Sequence, residues 1–342
     1  MVFSILERCQ VGMRILGTRQ KRAKKKKRRP KSRQLKLAEF GGVYLFYMIT
    51  RLMPMWMLQA IAWGLGNFAF LAFSERRRIA VENVRYALKG RFSERQLWHI
   101  ARRSIYNFFL IIPEVVKHKP VLKEDKAKLR FLEGNPELAP IFEKVRRLHK
   151  ESKGCIFVTP HLGNWELLPF VSTAFGIPVA IPVRPLDNEY LERFIYRSRS
   201  ESGQMFIPNR NSFLILQRCL AEGRSVGLLP DQSTKRGLLV DFFGRPAYTT
   251  PIPATLAVIH RRPIVVIACC RIGRLQFTGY ASDPIWPQDY EDESTEIMRL
   301  SQLMNREMEK LILRHPEQYL WMHNRWKRYK RKSRRERRLN AT

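Results

Sequence analysis

From residue 155 to residue 282, short and strongly apolar runs alternate with longer amphipathic segments. The apolar runs lie at 155–160, 177–183, 203–208, 225–230, 263–272 and 275–282. Helical spacing of apolar residues marks the segments near 165–175, 188–201, 211–222, 251–260 and 294–314. This alternation predicts a single α/β domain with a largely parallel central sheet flanked by helices.

Three polar side chains each come just after one of these apolar runs. His161, Arg184 and Asp231 follow the runs that end at residues 160, 183 and 230. In parallel sheets, functional residues collect beyond the carboxyl ends of the strands, which all lie along one edge. We therefore expect these three side chains to share one rim of the sheet.

The stretch HLGNWE, at 161–166, suggests a general base. Gly163 allows a tight turn, Asn164 is a favoured helix N-cap, and Glu166 would lie in the first turn of the next helix. A carboxylate bonded to one imidazole nitrogen fixes the tautomer and makes the other nitrogen a better base. The simpler alternative is that His161 only ends a strand and Glu166 only complements a helix dipole. A zinc site is less well supported, because the zinc helix motif needs two histidines four residues apart.

An apolar segment at the front of the chain predicts membrane association. Residues 52–73 carry no charge, and about 20 apolar residues suffice to cross a bilayer. Basic clusters lie on both sides, near Lys36 and at 76–78, and positive residues favour the cytoplasmic side. A re-entrant or monotopic helix pair is therefore favoured over a simple crossing, with a buried core helix pair as the alternative.

The charge of the chain predicts anionic partners. It has 63 Lys and Arg against 30 Asp and Glu, a formal net charge of +33. Much of the excess lies in two tails, since 19–33 holds 11 basic and no acidic residues and 325–338 holds 10 basic residues and one acid. Nucleic acid, acidic lipid, an acidic protein or a phosphorylated substrate would all fit. The five cysteines lack CxxC spacing and are expected to be reduced core residues of a cytoplasm-facing protein.

An ordered set of motifs resembles one enzyme family. The motifs are RRRIAVENVRYAL (76–88), HLGNWE (161–166), PVRPLDN (182–188), LLPDQS (228–233), DFFGRPAYTTPIPATLA (241–257) and PEQYLWMHNRWK (316–327). Together they resemble the late (lauroyl/myristoyl) acyltransferases of lipid A biosynthesis, which are related to the glycerophosphate acyltransferases. The resemblance implies transfer of a fatty acyl chain, from acyl carrier protein or coenzyme A, to a hydroxyl of a phosphorylated glycolipid. It also implies a location at the cytoplasmic face of the inner membrane and no cofactor or metal.

Carried onto this sequence, the resemblance makes His161 the general base and Glu166 its orienting partner. Further residues could bind substrate or the oxyanion, although each also fits a plain rim or turn position: Arg184, Asp231, Gln232 and Arg245. An acyl-enzyme on Cys155 is disfavoured, because six residues of mostly extended chain would place it about 20 Å from His161.

The sequence thus predicts four segments and leaves two rival functions. The segments are a basic tail expected to be disordered (1–39), a membrane-associating helical part (40–75), the acyltransferase domain (76–328) and a second basic tail (329–342). One rival is an acyltransferase with another lipid acceptor. The other is a basic nucleic-acid-binding membrane protein, although the chain has no recognisable nucleic-acid-binding module.

Overall fold

The computed structural model describes residues 31–118, 133–200, 203–208 and 212–327. Residues 34–327 form one compact unit. The predicted C-terminal tail and the first thirty residues of the N-terminal tail lie outside the described residues. The fold and the candidate site belong to the unit from Gln34 to Lys327.

Helices and strands alternate through most of this unit. The helices are α1 (Arg33–Leu52), α2 (Met55–Ala72), α3 (Ser74–Leu88), α4 (Glu94–His118), α5 (Leu138–Glu151), α6 (Leu168–Ala174), α7 (Glu189–Ser200), α8 (Ser212–Ala221), α9 (Ile252–His260) and α10 (Glu293–Arg314). The strands are β1 (Ile156–Val158), β2 (Val179–Val183), β3 (Met205–Pro208), β4 (Ser225–Leu228), β5 (Leu238–Phe242), β6 (Arg245–Thr249), β7 (Ile264–Gly273) and β8 (Gln276–Ala281).

Six strands form one central sheet in the order β3-β2-β4-β1-β7-β8. The first five are mutually parallel, and β8 pairs antiparallel with β7. The prediction of a largely parallel sheet flanked by helices is confirmed, and all six strands coincide with apolar runs of the sequence. The central strand β1 lies between β4 and β7, which is the arrangement that positions the candidate site.

Both faces of the sheet are buried, which explains why its strands are apolar along their whole length. Ile156 and Val158 of β1 point into a large cluster that includes residues of α3, α4, α8, α9 and α10. Phe157, between them, points the opposite way into a second cluster with residues of α5 and α6. This is the period-two alternation that a strand imposes on its side chains.

A small hairpin outside the main sheet was not predicted as strands. β5 and β6 pair antiparallel around a two-residue turn at Phe243 and Gly244, both with positive φ (54° and 72°). A type I′ turn, whose twist matches that of the flanking strands, requires positive φ at both central residues. The hairpin contacts α10, where the Gln302 side chain accepts a hydrogen bond from the backbone N–H of Asp241.

The apolar front end folds as two helices separated at Pro54. The first begins at Arg33, so residues 33–39 are helical and the prediction that they belong to a disordered tail is wrong. One side of α2 packs on α4, through Met55, Leu58 and Ala62 against Leu110. Gly66 permits this close approach, because a Cβ there would lie 2.8 Å from the Cα of Tyr106. Among the described helices, α2 is the one long and apolar enough to cross a membrane, and only 33% of it is buried. Association with a membrane therefore stays a prediction.

Candidate active site

The loop that carries His161 leaves β1 and is fixed by its backbone. The N–H of His161 donates to Oδ2 of Asp231 (2.8 Å), and its carbonyl accepts from the N–H of Leu320 (3.0 Å). Gly163 has φ +63°, and a Cβ at this position would lie 2.1 Å from the carbonyl oxygen of Cys269 on β7. The predicted tight turn is therefore present, and no residue larger than glycine fits without moving β7.

His161 and Asp231 form a buried hydrogen-bonded pair. They meet because β1 and β4 are parallel neighbours, so that the residues after their carboxyl ends lie side by side. The distance from His161 Nδ1 to Asp231 Oδ1 is 2.6 Å, and the two side chains are 14% and 2% exposed. The prediction that His161, Arg184 and Asp231 share one rim is confirmed, since Arg184 follows β2 and lines the same cavity as His161.

The charge state of Asp231 fixes the tautomer of His161. Burial alone would raise the pKa of Asp231. The charge and hydrogen bonds of His161, with a contribution from Arg325, outweigh it and leave this pKa below its usual value. An ionised carboxylate can only accept, so in the neutral ring of His161 the proton is on Nδ1, which donates to Asp231. The lone pair of that neutral ring is on Nε2, the nitrogen that a general base uses.

This geometry corrects the predicted role of Glu166. The carboxylate at Nδ1 belongs to Asp231, 70 residues further along the chain, and not to the neighbour in the HLGNWE stretch. Glu166 lies in the turn before α6, which begins only at Leu168, and it lines the same cavity as His161. Asp231, in turn, is only 2% exposed and lies beneath the imidazole. This position suits the orienting of His161 better than the predicted binding of substrate.

Asn164 also differs from its predicted role. The residue before α6 is Leu167, which makes no side-chain cap hydrogen bond. Asn164 is fully buried, and its amide donates to Glu114 Oε2 (2.8 Å) and to the carbonyl of Ile111 (3.1 Å). A buried tertiary partner has replaced the local cap.

The Nε2 side of His161 opens into a cavity of about 470 Å³. Gln232 lies at its mouth, with its amide nitrogen 3.2 Å from His161 Nε2, and the Trp165 ring meets the imidazole edge-on with centroids 4.9 Å apart. The cavity has both polar and apolar lining residues, and most are apolar. The polar ones are Thr159, His161, Glu166, Ser172, Arg184 and Gln232, and the apolar ones include Phe142, Val145, Leu168, Val179, Ile181 and Phe206.

Two other predicted positions lie apart from this centre. Arg245 begins β6 and stacks over the ring of Tyr86 at 5.0 Å, and it is not among the residues that line the cavity. Cys155 is buried immediately before β1, at the end opposite to His161, and burial raises the pKa of its thiol to about 11. A thiol protonated in this way is a poor nucleophile.

The segment after α10 supplies residues that sequence reasoning did not assign to the site. Leu320 holds the backbone of His161, and His323 Nε2 accepts from the N–H of Ser233, two residues after Asp231. Burial lowers the pKa of His323, which favours the neutral ring that can accept this bond. The available signal was the aromatic and histidine-containing motif at 316–327, which resembles a family motif but has no chemistry readable from its spacing.

Comparison of the sequence with known proteins identifies one family. Residues 25–328 match the family described as bacterial lipid A biosynthesis acyltransferase. A lipid A biosynthesis palmitoleoyltransferase of Escherichia coli (strain K12) is 26% identical over 189 residues, which cover 54% of this chain and 60% of the relative. A lipid A biosynthesis acyltransferase of Shigella flexneri matches with the same identity and coverage. The match thus spans 60% of the length of these curated relatives.

Proposed function

The chain belongs to the bacterial lipid A biosynthesis acyltransferase family, and on that basis we propose that it moves a fatty acyl chain from a thioester to a hydroxyl of a lipid A precursor. The observation that carries the proposal is the His161–Asp231 pair, whose His161 lines a largely apolar cavity. A strongly basic chain suits both an acidic carrier protein as donor and a phosphorylated glycolipid as acceptor. Coenzyme A is also anionic, so the proposed donor is an acyl thioester of acyl carrier protein or of coenzyme A.

The proposed reaction uses His161 first as a base and then as an acid. Its Nε2 takes the proton from the acceptor hydroxyl while the oxygen attacks the thioester carbonyl carbon. A C–O bond forms, and the carbonyl oxygen becomes an oxyanion. When the intermediate collapses, the C–S bond breaks and the imidazolium returns the proton to the departing thiolate. Asp231 stabilises the imidazolium and keeps Nε2 directed at the substrate.

Arg184 and Gln232 are the candidates for stabilising negative charge in this reaction. Both line the cavity beside His161, and both can donate hydrogen bonds to an oxyanion or to a substrate phosphate. Glu166, also at the cavity, is proposed to contact the acceptor rather than to orient His161. Arg245 lies outside the cavity lining and remains a candidate only for a phosphate further from the reacting hydroxyl.

The apolar part of the cavity is proposed to hold the acyl chain of the donor. Its volume is within the usual range for small-molecule sites, roughly 300–1,000 Å³. Ile181 of β2 narrows the cavity above Gly227 of β4, where an added Cβ would lie 3.3 Å from Ile181 Cγ1. The glycine keeps this part of the cavity open, and Ile181 is the side chain through which its width can be changed.

The test is mass spectrometry of lipid A from a host that lacks its own late acyltransferase. Expression of this chain should add the mass of one acyl chain. Ile181→Phe should add a shorter chain, because its ring occupies space that the longer chain needs. The matched control is Ile259→Phe, a substitution on α9 at a side chain that is 47% exposed, which should leave the added mass unchanged.

Two outcomes would count against this assignment. No added acyl chain, with the protein present in the membrane fraction, would exclude lipid A as the acceptor. The same added mass from wild-type protein and Ile181→Phe would place the acyl chain elsewhere.

We further propose that α1 and α2 associate with the cytoplasmic face of the inner membrane. Their outer sides expose large apolar side chains, including Leu45 (60%), Trp63 (58%) and Leu71 (70%). Exposed apolar surface this dense marks an interaction site. The arginines at 76–78 lie at the start of α3, close to the end of α2, which suits an anionic leaflet surface.

Trp63→Glu combined with Leu71→Glu is expected to weaken binding to anionic vesicles. Burying one such side chain contributes about 1.5–3 kcal/mol, so each change should cost about tenfold or more in affinity. Vesicle co-sedimentation would measure this. The control pair, Leu214→Glu with Leu239→Glu, alters leucines that are 69% and 52% exposed on α8 and β5. Equal losses from both pairs would contradict the assignment of this face.

A further inference from the structure

A largely buried ion pair lies next to the active-site loop, and the proposed reaction does not use it. Glu114 of α4 is 0% exposed, and Arg271 of β7 is 9% exposed. The guanidinium donates to both carboxylate oxygens, from Nε to Oε1 and from Nη2 to Oε2, the latter at 2.6 Å. This bidentate geometry is the strongest form of such a pair.

Arg271 makes further hydrogen bonds beyond those to Glu114. Arg271 Nη1 donates to Asn107 Oδ1 at 2.9 Å. The Gln318 side chain accepts from the backbone N–H of Arg271 (2.9 Å) and donates to its carbonyl (2.8 Å). The cluster therefore joins α4, β7 and the segment after α10 through hydrogen bonds of buried side chains.

Asn164 connects this cluster to the loop of His161. Its amide nitrogen uses both hydrogens, one on Glu114 Oε2 (2.8 Å) and the other on the carbonyl of Ile111 (3.1 Å). Gln318 contacts the same loop, since its carbonyl accepts from the N–H of Gly163 (3.2 Å). Two members of the cluster thus hold residues within three positions of His161.

Stability alone is a weak reason for such a cluster. Replacing a buried ion pair with packed apolar residues is often neutral or stabilising, because taking two charges out of water is costly. An ion pair does hold its carboxylate in one orientation, which fixes the geometry of any further hydrogen bond to that carboxylate. Here Glu114 Oε2 accepts such a bond from Asn164 of the active-site loop.

We propose that Glu114, Arg271 and Asn164 are positioning residues, which hold the HLGNWE loop so that His161 Nε2 faces the cavity. The inference rests on the proposed function in taking His161 as the base. It extends that function by assigning a role to residues on α4 and β7 that do not line the cavity.

The test is an exchange of donor and acceptor between Asn164 and Glu114. Asn164→Asp places a second carboxylate against Glu114, and Glu114→Gln removes the counterion of Arg271. In the double variant, the amide nitrogen introduced at position 114 can donate to the carboxylate introduced at position 164, and the amide oxygen can still accept from Arg271 Nε, whereas Arg271 Nη2 loses its acceptor. One carboxylate and one guanidinium then remain, with the polarity of the central hydrogen bond reversed.

Asn164→Asp is expected to lower kcat per folded molecule by about 10–100-fold, as a small misplacement of a catalytic group does. KM should stay within about twofold, because substrate contacts are retained. The double variant should regain about tenfold relative to Asn164→Asp. Restoration is only partial, because the carboxylate at position 164 cannot donate to the carbonyl of Ile111.

Hydrogen exchange of the peptide spanning 159–170 gives a readout that does not depend on turnover. We expect faster exchange in Asn164→Asp and slower exchange again in the double variant, because the loop amides lose and then regain their tether. This distinguishes the two proposals. If no acyl transfer is found even for the wild type, the exchange data still test the positioning role.

Asn305→Asp is the control for burying a carboxylate elsewhere. Asn305 of α10 is 0% exposed, and its amide donates to the carbonyl of Asp241 (2.8 Å). It should lower the melting temperature without changing kcat per folded molecule or exchange in the loop. The proposal is overturned if Asn164→Asp behaves in the same way, or if the double variant shows no recovery over Asn164→Asp.

Discussion

Replacing His161 with alanine is expected to slow acyl transfer by about 10²–10⁴-fold, the usual contribution of a general base. The fold should be retained, because the loop is held by the backbone hydrogen bonds of His161, which alanine preserves. Asp231 would lose its imidazole partner but would keep the bond from the backbone N–H of residue 161. Rates measured with an acyl thioester and a lipid A precursor would give the effect directly.

The control for this substitution is His99→Ala. His99 is exposed on α4, and it lines a groove with residues of α2 that is separate from the active-site cavity. Its removal should leave the rate unchanged. If His161→Ala kept more than about a tenth of the wild-type rate, His161 would not be the general base. Another group would then have to accept the proton.

The architecture was largely predictable because strand burial leaves a local signature. Both faces of the main sheet are covered, so its strands appear in the sequence as short uninterrupted apolar runs. In the hairpin, the apolar residues of β5 are interrupted by Asp241, and β6 contains a proline and is only partly buried. Its turn is Phe-Gly rather than the usual Asn-Gly.

The partner of His161 could not be read from sequence distance. Glu166 is five residues away and Asp231 is 70, and local reasoning chose the nearer carboxylate. The pairing depends on strand order. β4 lies beside β1 in the sheet, although β2 and β3 come between them in the chain. Periodicity reports that strands exist, whereas their order depends on how helices and crossovers pack.

Buried polar contacts were the other feature outside the reach of local rules. Asn164 has the composition and position of a helix cap, yet its amide is used by Glu114, 50 residues earlier in the chain. The pairing of Glu114 with Arg271 spans 157 residues. A single glutamate in an amphipathic helix gives no sign that it will be buried. Only the packed structure shows which charged groups meet.

Asp231→Asn is expected to reduce acyl transfer by up to about 10⁴-fold, the loss that a wrong imidazole tautomer produces in a triad. The asparagine amide can donate to His161 Nδ1, which moves the proton to Nε2 and removes the lone pair that takes up the hydroxyl proton. The ionised state of Asp231 prevents this in the wild type, since its lowered pKa keeps it an acceptor through neutral pH. Histidine-selective ¹⁵N NMR should show a proton on Nδ1 in the wild type and on Nε2 in the variant.

Glu166→Gln distinguishes the role of Glu166 from that of Asp231, because it changes the charge at the cavity without altering the hydrogen bond at His161 Nδ1. We expect the Nδ1 proton signal of His161 to persist in this variant, whatever the loss of rate. Such a loss would come from a weakened contact between residue 166 and the acceptor substrate. The opposite pattern, with the signal lost in Glu166→Gln and retained in Asp231→Asn, would restore Glu166 as the orienting group. The NMR signal therefore decides which carboxylate sets the tautomer, which a rate measurement alone cannot do because both groups are expected to affect turnover.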